Sequence, residues 1–201
     1  MIKPKAVVFD LGNVLLDFDY RRTVQRIQDR CKIPPDKIWE LLGDSDAFQR
    51  FEGGAIQPEE FFGEVQKVTG YDGRFEDFAE FFGDVFTEVP AMIDWQDELR
   101  RRGIPTYILS NTNDLSIRFI RNRFPFFANF TDYIFSHEHR AMKPAAKIYD
   151  VLEQRAGLRG PDLFYIDDRL ENIQAAVARG WQAVHHVKPA QTLEVARGLG
   201  L

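Results

Sequence analysis

The sequence has almost no cysteine, no long apolar run and no concentration of basic residues. Its 201 residues include one cysteine, Cys31, which excludes an intrachain disulfide framework and is typical of the reducing cytoplasm. No run of about 18 apolar residues occurs, so the sequence predicts no transmembrane helix. The 26 Lys and Arg against 31 Asp and Glu give a net charge of -5, with no Lys/Arg-rich tract that would indicate nucleic acid. We therefore expect a cytoplasmic protein that binds neither nucleic acid nor membrane.

Short apolar runs alternate with helical patterns along most of the chain. At 44% hydrophobic and 28% charged residues, the composition is that of a folded globular protein. Its length suits one domain, or one domain with a modest insertion. The apolar runs are Lys5–Phe9, Thr106–Leu109, Tyr133–Phe135, Leu163–Ile166 and Gln182–Val184. Strands that alternate with helices predict βαβ units, and hence an α/β fold with a mainly parallel sheet.

The stretch from about Asp17 to Glu88 interrupts this alternation. It contains no convincing strand, and nine of the 18 phenylalanines lie between Phe48 and Phe86. Several of these phenylalanines follow helical spacing, which favours packing in a small core of their own. We therefore predict that residues 17–89 form a helical insertion and that residues 1–16 and 90–201 form the main α/β domain.

Polar residues follow the predicted strands at the positions where ligands bind in a parallel sheet. They are Asp10 and Gly12 after the first strand, Ser110 and Asn111 after the second, Asp167 and Asp168 after the fourth, and Lys143 before a helix. Each motif alone also fits a turn or a helix cap. Together, however, carboxylates that converge at one sheet edge need a cation, and Mg²⁺ prefers such oxygen ligands. With a hydroxyl and a lysine, the set is typical of phosphoryl transfer.

Four motifs resemble those of the haloacid dehalogenase-like (HAD) hydrolases. They are Val8–Val14, Leu109–Thr112, Lys143-Pro144 and Tyr165–Asp168, in the family's order and across essentially the whole chain. The resemblance implies a three-layer, Rossmann-like core, and the insertion resembles the helical C1-type cap of the family. Within the family, Phe9–Leu15 together with Phe51–Ile56 resembles the subgroup that contains bacterial sugar-1-phosphate (alpha-glucose-1-phosphate) phosphatases.

The resemblance implies a magnesium-dependent hydrolase of small phosphomonoesters, with a sugar phosphate as the expected substrate. Asp10 would attack phosphorus and form an aspartyl-phosphate that water then hydrolyses. Mg²⁺ would be bound by the side chains of Asp10 and Asp167 and by the backbone carbonyl of Gly12. Asp168 would coordinate the ion directly or hold its waters.

The resemblance also implies a set of phosphate-binding residues. Ser110 would donate a hydrogen bond to the phosphoryl group, assisted by the backbone of Asn111. Lys143 would neutralise the nucleophile and the phosphate. The segment after the nucleophile would contribute as well, through Leu11, Gly12 and Asn13. The partner is thus a small phosphorylated metabolite, and the chain is expected to be a monomer or a homodimer.

Gly12 departs from the pattern of most family phosphatases. That position usually holds a second aspartate, which protonates the leaving group and later activates water. Glycine has no side chain for either step, and general acid–base catalysis contributes about 10²–10⁴-fold. Asp17 or Asp19 could take over the role, or the leaving group could need little protonation. A third alternative is a protein that binds phosphates and turns them over poorly.

Two further side chains are candidate supporting residues. Asn172 lies four positions after Asp168 and would orient Lys143 or Asp168. Arg21 follows the first motif closely, where it could reach anionic or sugar groups of a substrate.

A metal-independent 2-haloacid dehalogenase is the other enzymatic alternative, since it uses the same nucleophile on carbon. Dehalogenases of the family usually have a glycine and then a threonine where this sequence has Asn13 and Val14. The adjacent Asp167 and Asp168 favour a metal-dependent reaction instead.

Overall fold

A computed structural model describes residues 2–201 as a parallel sheet flanked by helices, with a second group of helices inserted after the first strand. The strands are β1 (Ala6–Phe9), β2 (Leu16–Phe18), β3 (Phe86–Glu88), β4 (Thr106–Ser110), β5 (Asp132–Phe135), β6 (Leu163–Asp167) and β7 (Gln182–His185). The helices are α1 (Arg21–Ile27), α2 (Pro35–Asp44), α3 (Asp46–Glu52), α4 (Pro58–Thr69), α5 (Phe75–Gly83), α6 (Pro90–Arg101), α7 (Asp114–Arg123), α8 (Ser136–His139), α9 (Ala146–Ala156), α10 (Leu170–Ala178) and α11 (Pro189–Gly198). Short 3-10 turns cover Gln28–Arg30, Pro125–Asn129 and Gly160–Asp162.

The main sheet has five parallel strands in the order β5-β4-β1-β6-β7. Strand β1 lies at its centre, where Val8 pairs with Tyr107 of β4 and Tyr165 of β6. The loops after β1, β4 and β6 therefore leave the same edge of the sheet side by side. This arrangement confirms the predicted α/β fold with a mainly parallel sheet.

The sheet has a hydrophobic core on each face, which makes the main body three-layered. Every residue of β1 is fully buried, as expected for a central strand covered on both sides. Because side chains alternate along a strand, Val7 and Phe9 pack against one face and Ala6 and Val8 against the other. Helices α6, α7 and α11 contribute to the first core, and α9 and α10 to the second.

Helices α1 to α5, which we call the cap helices, form a separate core rich in phenylalanine. Phe51 and Phe61 stack with ring centroids 4.6 Å apart, and both are buried together with Phe78 and Phe82. The phenylalanine spacing therefore reflects internal packing of the cap helices. The division of the chain at residues 17 and 89 stays a prediction.

The prediction that no strand lies between Asp17 and Glu88 is wrong at both ends of the insertion. Strands β2 and β3 pair antiparallel there, with Leu16 opposite Glu88 and Phe18 opposite Phe86. Each has three residues, which is too short to show a periodic pattern. Their pairing brings together the two chain segments that connect the cap helices to the main sheet.

Candidate active site

Three carboxylates converge at the carboxyl edge of the sheet. Asp10 follows β1, Asp167 ends β6, and Asp168 comes next. Phe9 pairs with Ile166, so the register of the two strands places Asp10 next to Asp167. One oxygen from each carboxylate lies within 4.8 Å of the others. The negative charges of the three carboxylates repel one another unless a cation lies between them. Carboxylate oxygens at this spacing are suitable ligands for Mg²⁺.

Lys143 is buried between two of these carboxylates. Its Nζ lies 2.8 Å from Asp10 Oδ1 and 2.7 Å from Asp167 Oδ2, and it donates to the carbonyl oxygen of Leu109 at 2.9 Å. Burial disfavours the ammonium, but the two carboxylates outweigh it and hold the pKa of Lys143 above its ordinary value. The lysine is therefore a fixed positive charge in the site.

The side chain of Asn111 holds the backbone of Lys143 in place. Asn111 Nδ2 donates to the Lys143 carbonyl at 3.0 Å, and the Lys143 N–H donates back to Asn111 Oδ1 at 2.7 Å. The sequence predicted a phosphate contact for the backbone of Asn111. This positioning role of its side chain was not predicted.

Asp167 is held in its ionised form by several hydrogen-bond donors. Besides Lys143, it accepts hydrogen bonds from the Tyr165 hydroxyl, from the Arg169 N–H at 2.8 Å, and from Asn172 Nδ2 at 3.0 and 3.1 Å. Burial opposes the charge, but Lys143 and the other donors hold the pKa of Asp167 below its ordinary value. The sequence predicted that Asn172 would orient Lys143 or Asp168; the structure places its amide on Asp167.

Asp10 differs from Asp167 although both contact Lys143. Its other donor is the N–H of Leu11, at 2.7 Å from Oδ1. Burial raises the pKa of Asp10 to about 7, with Lys143 lowering it and Asp167 raising it. A cation bound beside Asp10 would lower this pKa and favour the ionised carboxylate.

Asn13 fixes Asp168 at the edge of the site. Its Nδ2 donates to Asp168 Oδ2 at 2.8 Å. The φ of Asn13 is 54°, in the left-handed region that asparagine tolerates better than most residues. The sequence predicted phosphate binding for the Leu11–Asn13 segment, and the structure adds this contact between the first and fourth motifs.

The residues at this edge of the sheet line a cavity of about 750 Å³ that lies between the sheet edge and the cap helices. Its sheet side contains Asp10, Leu11, Gly12, Asn13, Ser110, Asn111, Lys143, Asp168, Arg169 and Asn172. Its opposite side is mostly aromatic and contains Phe18, Tyr20, Trp39, Phe48, Gln49, Glu52 and Phe86. A phosphate bound at the sheet edge would thus direct its organic group toward aromatic side chains.

Glu52 is a cavity residue that the sequence interpretation missed. It ends α3, is half-buried, and its carbonyl accepts a hydrogen bond from Ser136 Oγ at 2.5 Å. Burial, and then the negative charge of Asp10, raise the pKa of Glu52 to about 8. The signal was present, because Glu52 lies in the Phe51–Ile56 segment of the subgroup resemblance, but no role was given to it.

The structure does not bring the other predicted acids into the cavity. The Asp17 side chain is exposed on β2. Asp19 accepts hydrogen bonds from the Arg21 N–H at 3.0 Å and from Arg21 Nε at 2.9 Å, and neither residue lines the cavity. The Arg21 guanidinium lies over Trp39, 5.9 Å from the ring centroid, and so reaches the cavity rim.

Phe18 occupies the space beside Gly12. A Cβ added to Gly12 would lie 2.9 Å from Phe18 Cε1, closer than side chains normally approach. A residue with a side chain at position 12 would therefore have to displace the Phe18 ring.

Residues 4–180 match the family model described as haloacid dehalogenase-like hydrolase. The chain belongs to this family. The resemblance drawn from the four motifs is therefore confirmed.

Two curated relatives of this HAD-like hydrolase are named as phosphatases. D-ribitol-5-phosphate phosphatase from Bacteroides thetaiotaomicron is 25% identical over 187 residues, which are 89% of this chain and 89% of the relative. Sesquiterpene phosphatase astK from Aspergillus oryzae is 25% identical over 185 residues, covering 90% of this chain and 89% of the relative.

A HAD family enzyme from Bacteroides thetaiotaomicron, crystallised with magnesium and inorganic phosphate, has the same fold. The two chains are 24% identical, the match covers 90% of this chain and 93% of that enzyme's chain, and they superpose with a TM-score of 0.80.

No helix in residues 2–201 has both the length and the hydropathy to cross a bilayer.

Proposed function

We propose that this protein hydrolyses small phosphomonoesters in a magnesium-dependent reaction through an aspartyl-phosphate on Asp10. The observation that carries the proposal is the convergence of Asp10, Asp167, Asp168 and Lys143 at one edge of the sheet, where Asp10, Asp168 and Lys143 line the cavity. The phosphatase names of both curated relatives support it.

The donor set fits Mg²⁺. Asp10, Asp167 and Asp168 offer oxygen ligands within 4.8 Å of one another, and Asp167 is already held in its ionised form by neighbouring donors. Asp10 and Asp167, with the carbonyl of Gly12 and with Asp168 nearby, would hold the ion. When bound, the ion would neutralise the charge that develops on the transferring phosphoryl group.

The protein's own groups then have distinct tasks. An Asp10 oxygen attacks phosphorus, and the bond between phosphorus and the leaving-group oxygen breaks. Lys143 stays between Asp10 and Asp167, so it offsets negative charge throughout the reaction. Ser110 and the Leu11–Asn13 segment line the sheet side of the cavity, where they would hold the phosphoryl oxygens.

A sugar or polyol phosphate is the substrate that we propose, in line with the D-ribitol-5-phosphate phosphatase relative. Gln49, Glu52 and Arg169 supply polar groups that hydroxyls could contact. The aromatic side of the cavity favours a second candidate, an apolar alcohol, and the other curated relative is a sesquiterpene phosphatase. A cytoplasmic location and a monomeric or homodimeric state stay predictions.

The test is phosphate release from a panel of sugar, polyol, aryl and prenyl phosphates, with Mg²⁺ and with chelator. We expect Mg²⁺-dependent release by the wild type and none by Asp10→Asn. Asp17→Asn is the matched control, because it removes an exposed carboxylate from the same segment and should keep activity.

Other outcomes would assign another function. Halide release from 2-haloacids without metal would favour the dehalogenase. Inorganic phosphate binding without turnover of any ester would favour the phospho-ligand binder. Substantial activity of Asp10→Asn would overturn the nucleophile assignment.

A further inference from the structure

We propose that Glu52, on the cap side of the cavity, is the general acid and base of the reaction. The inference rests on the proposed phosphatase function and deepens it. It assigns to a residue of α3 the role for which Gly12 has no side chain.

Position 12, which holds the acid–base aspartate in most family phosphatases, cannot supply this group in the present chain. Gly12 has no side chain, and the Phe18 ring lies where one would begin, 2.9 Å from the position of an added Cβ. Asp17 and Asp19 do not line the cavity, and Asp19 is paired with Arg21. The proton donor must therefore come from elsewhere in the cavity wall.

The carboxylates at the sheet edge already have other partners or another role. Asp10 is the nucleophile, Asp167 is held by four side-chain and backbone donors, and Asp168 is bound by Asn13. Among the described residues that line the cavity, Glu52 is the one carboxylate on the cap side. Glu52 and Asp10 line the same cavity, and the charge of Asp10 acts on the Glu52 carboxyl.

The backbone around Glu52 is anchored to the main body. Ser136 Oγ donates to the Glu52 carbonyl at 2.5 Å, and Ser136 also contacts the loop after β4 through Thr112. Two residues later, Gly54 has a φ of 69° and approaches α8 so closely that a Cβ would lie 2.1 Å from the His137 carbonyl oxygen. These contacts hold the end of α3 against α8, and a proton-transfer group needs such a fixed backbone.

The electrostatic environment of Glu52 agrees with this geometry. Burial and the negative charge of Asp10 raise its pKa to about 8, so a proton is available near neutral pH. Arg169 and Lys143 act in the opposite direction and keep the carboxylate accessible after the proton has left. An acid that must later act as a base needs both forms near the working pH.

Glu52 would transfer a proton in each of the two steps of the reaction. In the first, the Glu52 carboxyl proton passes to the leaving-group oxygen while the Asp10–phosphorus bond forms, which releases an alcohol and leaves Glu52 ionised. In the second, Glu52 takes a proton from water while the water oxygen attacks phosphorus and the bond to Asp10 breaks. Phosphate is released, and both carboxyl groups return to their starting forms.

The test is the dependence of rate on leaving-group acidity in Glu52→Gln. We expect a loss of about 10²–10⁴-fold in alcohol release from alkyl phosphates in a single turnover. For p-nitrophenyl phosphate, whose leaving group needs little protonation, nitrophenolate release should change only a few-fold. Its steady-state turnover should fall after an initial burst, because the second step has lost its base.

Two further variants separate chemistry from structure. Asp46→Asn is the matched control, since it neutralises an exposed carboxylate on the same helix and should leave both rates unchanged. Glu52→Asp keeps a carboxyl and should recover part of the alkyl phosphate rate. If Glu52→Gln and Glu52→Asp lose the same factor on every ester, or lose nothing, the proposal is overturned.

The experiment also distinguishes this inference from the proposed function. If the wild type shows Mg²⁺-dependent activity and Glu52→Gln has the same rates, only the role of Glu52 is overturned. A wild type without activity on any ester would overturn both.

Discussion

Asp10 and Asp167 contact the same lysine and yet have opposite pKa shifts. The difference lies in the number of donors, because Asp167 also receives hydrogen bonds from Tyr165, Arg169 and Asn172. Asp10 receives one other donor, the Leu11 N–H, and burial then dominates. One carboxylate is thereby fixed in its charged form, and the other responds to what binds beside it.

This contrast leads to a prediction for Asn172. Replacing it with alanine removes a donor from both oxygens of Asp167 and leaves a carboxylate less firmly oriented. Loss of such a supporting contact costs about 10–100-fold in metal affinity. We expect Asn172→Ala to need correspondingly more Mg²⁺ for half-maximal phosphatase activity, measured by magnesium titration.

The control for Asn172→Ala is Asn122→Ala, at an exposed position on α7, which should leave the titration unchanged. If Asn172→Ala and the wild type need the same Mg²⁺ concentration for half-maximal activity, metal binding by Asp167 does not depend on the Asn172 amide.

Sequence patterns predicted the residues that strand ends bring together but not their hydrogen-bond partners. The positions of Asp10, Ser110 and Asp167 follow from strands that share one sheet edge. Asn172 was placed near the site, yet its partner depends on how α10 begins after β6. Glu52 comes from another part of the fold, and its approach depends on tertiary packing of α3.

The helices and strands were predictable to the extent that their patterns are long. The central strands are continuous apolar runs, and α9 ends before Gly157, which has a φ of 65°. The three-residue strands β2 and β3 were missed because their pairing joins residues far apart in sequence. The contact of α3 with α8 has no local signature either, apart from Gly53-Gly54.

That contact makes Gly54 a sensitive position. Gly54→Ala would place a Cβ in the left-handed region and 2.1 Å from the His137 carbonyl oxygen, so the backbone of α3 or α8 must move. We expect a loss of about 1–3 kcal/mol in the free energy of unfolding. We also expect a higher KM, because the cap helices would sit differently over the cavity. Both are measured by denaturant unfolding and steady-state kinetics.

Gly63→Ala is the matched control for Gly54→Ala. Gly63 lies inside α4 with no atom within 4 Å of an added Cβ. Alanine there should stabilise the protein by about 0.5–1 kcal/mol through helix propensity. If both alanine variants had the same stability and KM as the wild type, the close approach at His137 would not constrain the cap helices.

At the scale of the whole molecule, the candidate active site lies between the sheet edge and the cap helices, which have their own core and also pack on α7 through Leu115. The sheet edge supplies most of the charged groups, and the aromatic wall comes from the inserted segment, through Trp39 and Phe48 of the cap helices and through Phe18 and Phe86 of β2 and β3. The paired strands β2 and β3 connect the two beside Gly12. Under the proposed function, the organic group of the substrate would therefore contact a part of the chain different from the part that would bind phosphate.

The charge balance of the site predicts that Mg²⁺ stabilises the folded protein. Three carboxylates lie within 4.8 Å of one another, and Lys143 offsets only one charge. The unfolded chain does not hold these groups together, so the ion binds the folded state preferentially. At about 100 times its Kd, such a ligand stabilises by about 2.7 kcal/mol. We expect a clear rise in Tm with MgCl₂ above that in NaCl of equal ionic strength, measured by thermal unfolding.

Asp168→Asn should lose most of the rise in Tm, whereas Asp17→Asn, which removes a carboxylate outside the cavity, should keep it. An equal Tm in the two salts would show that the three carboxylates do not form a magnesium site, and the metal-dependent reaction would lose its structural basis.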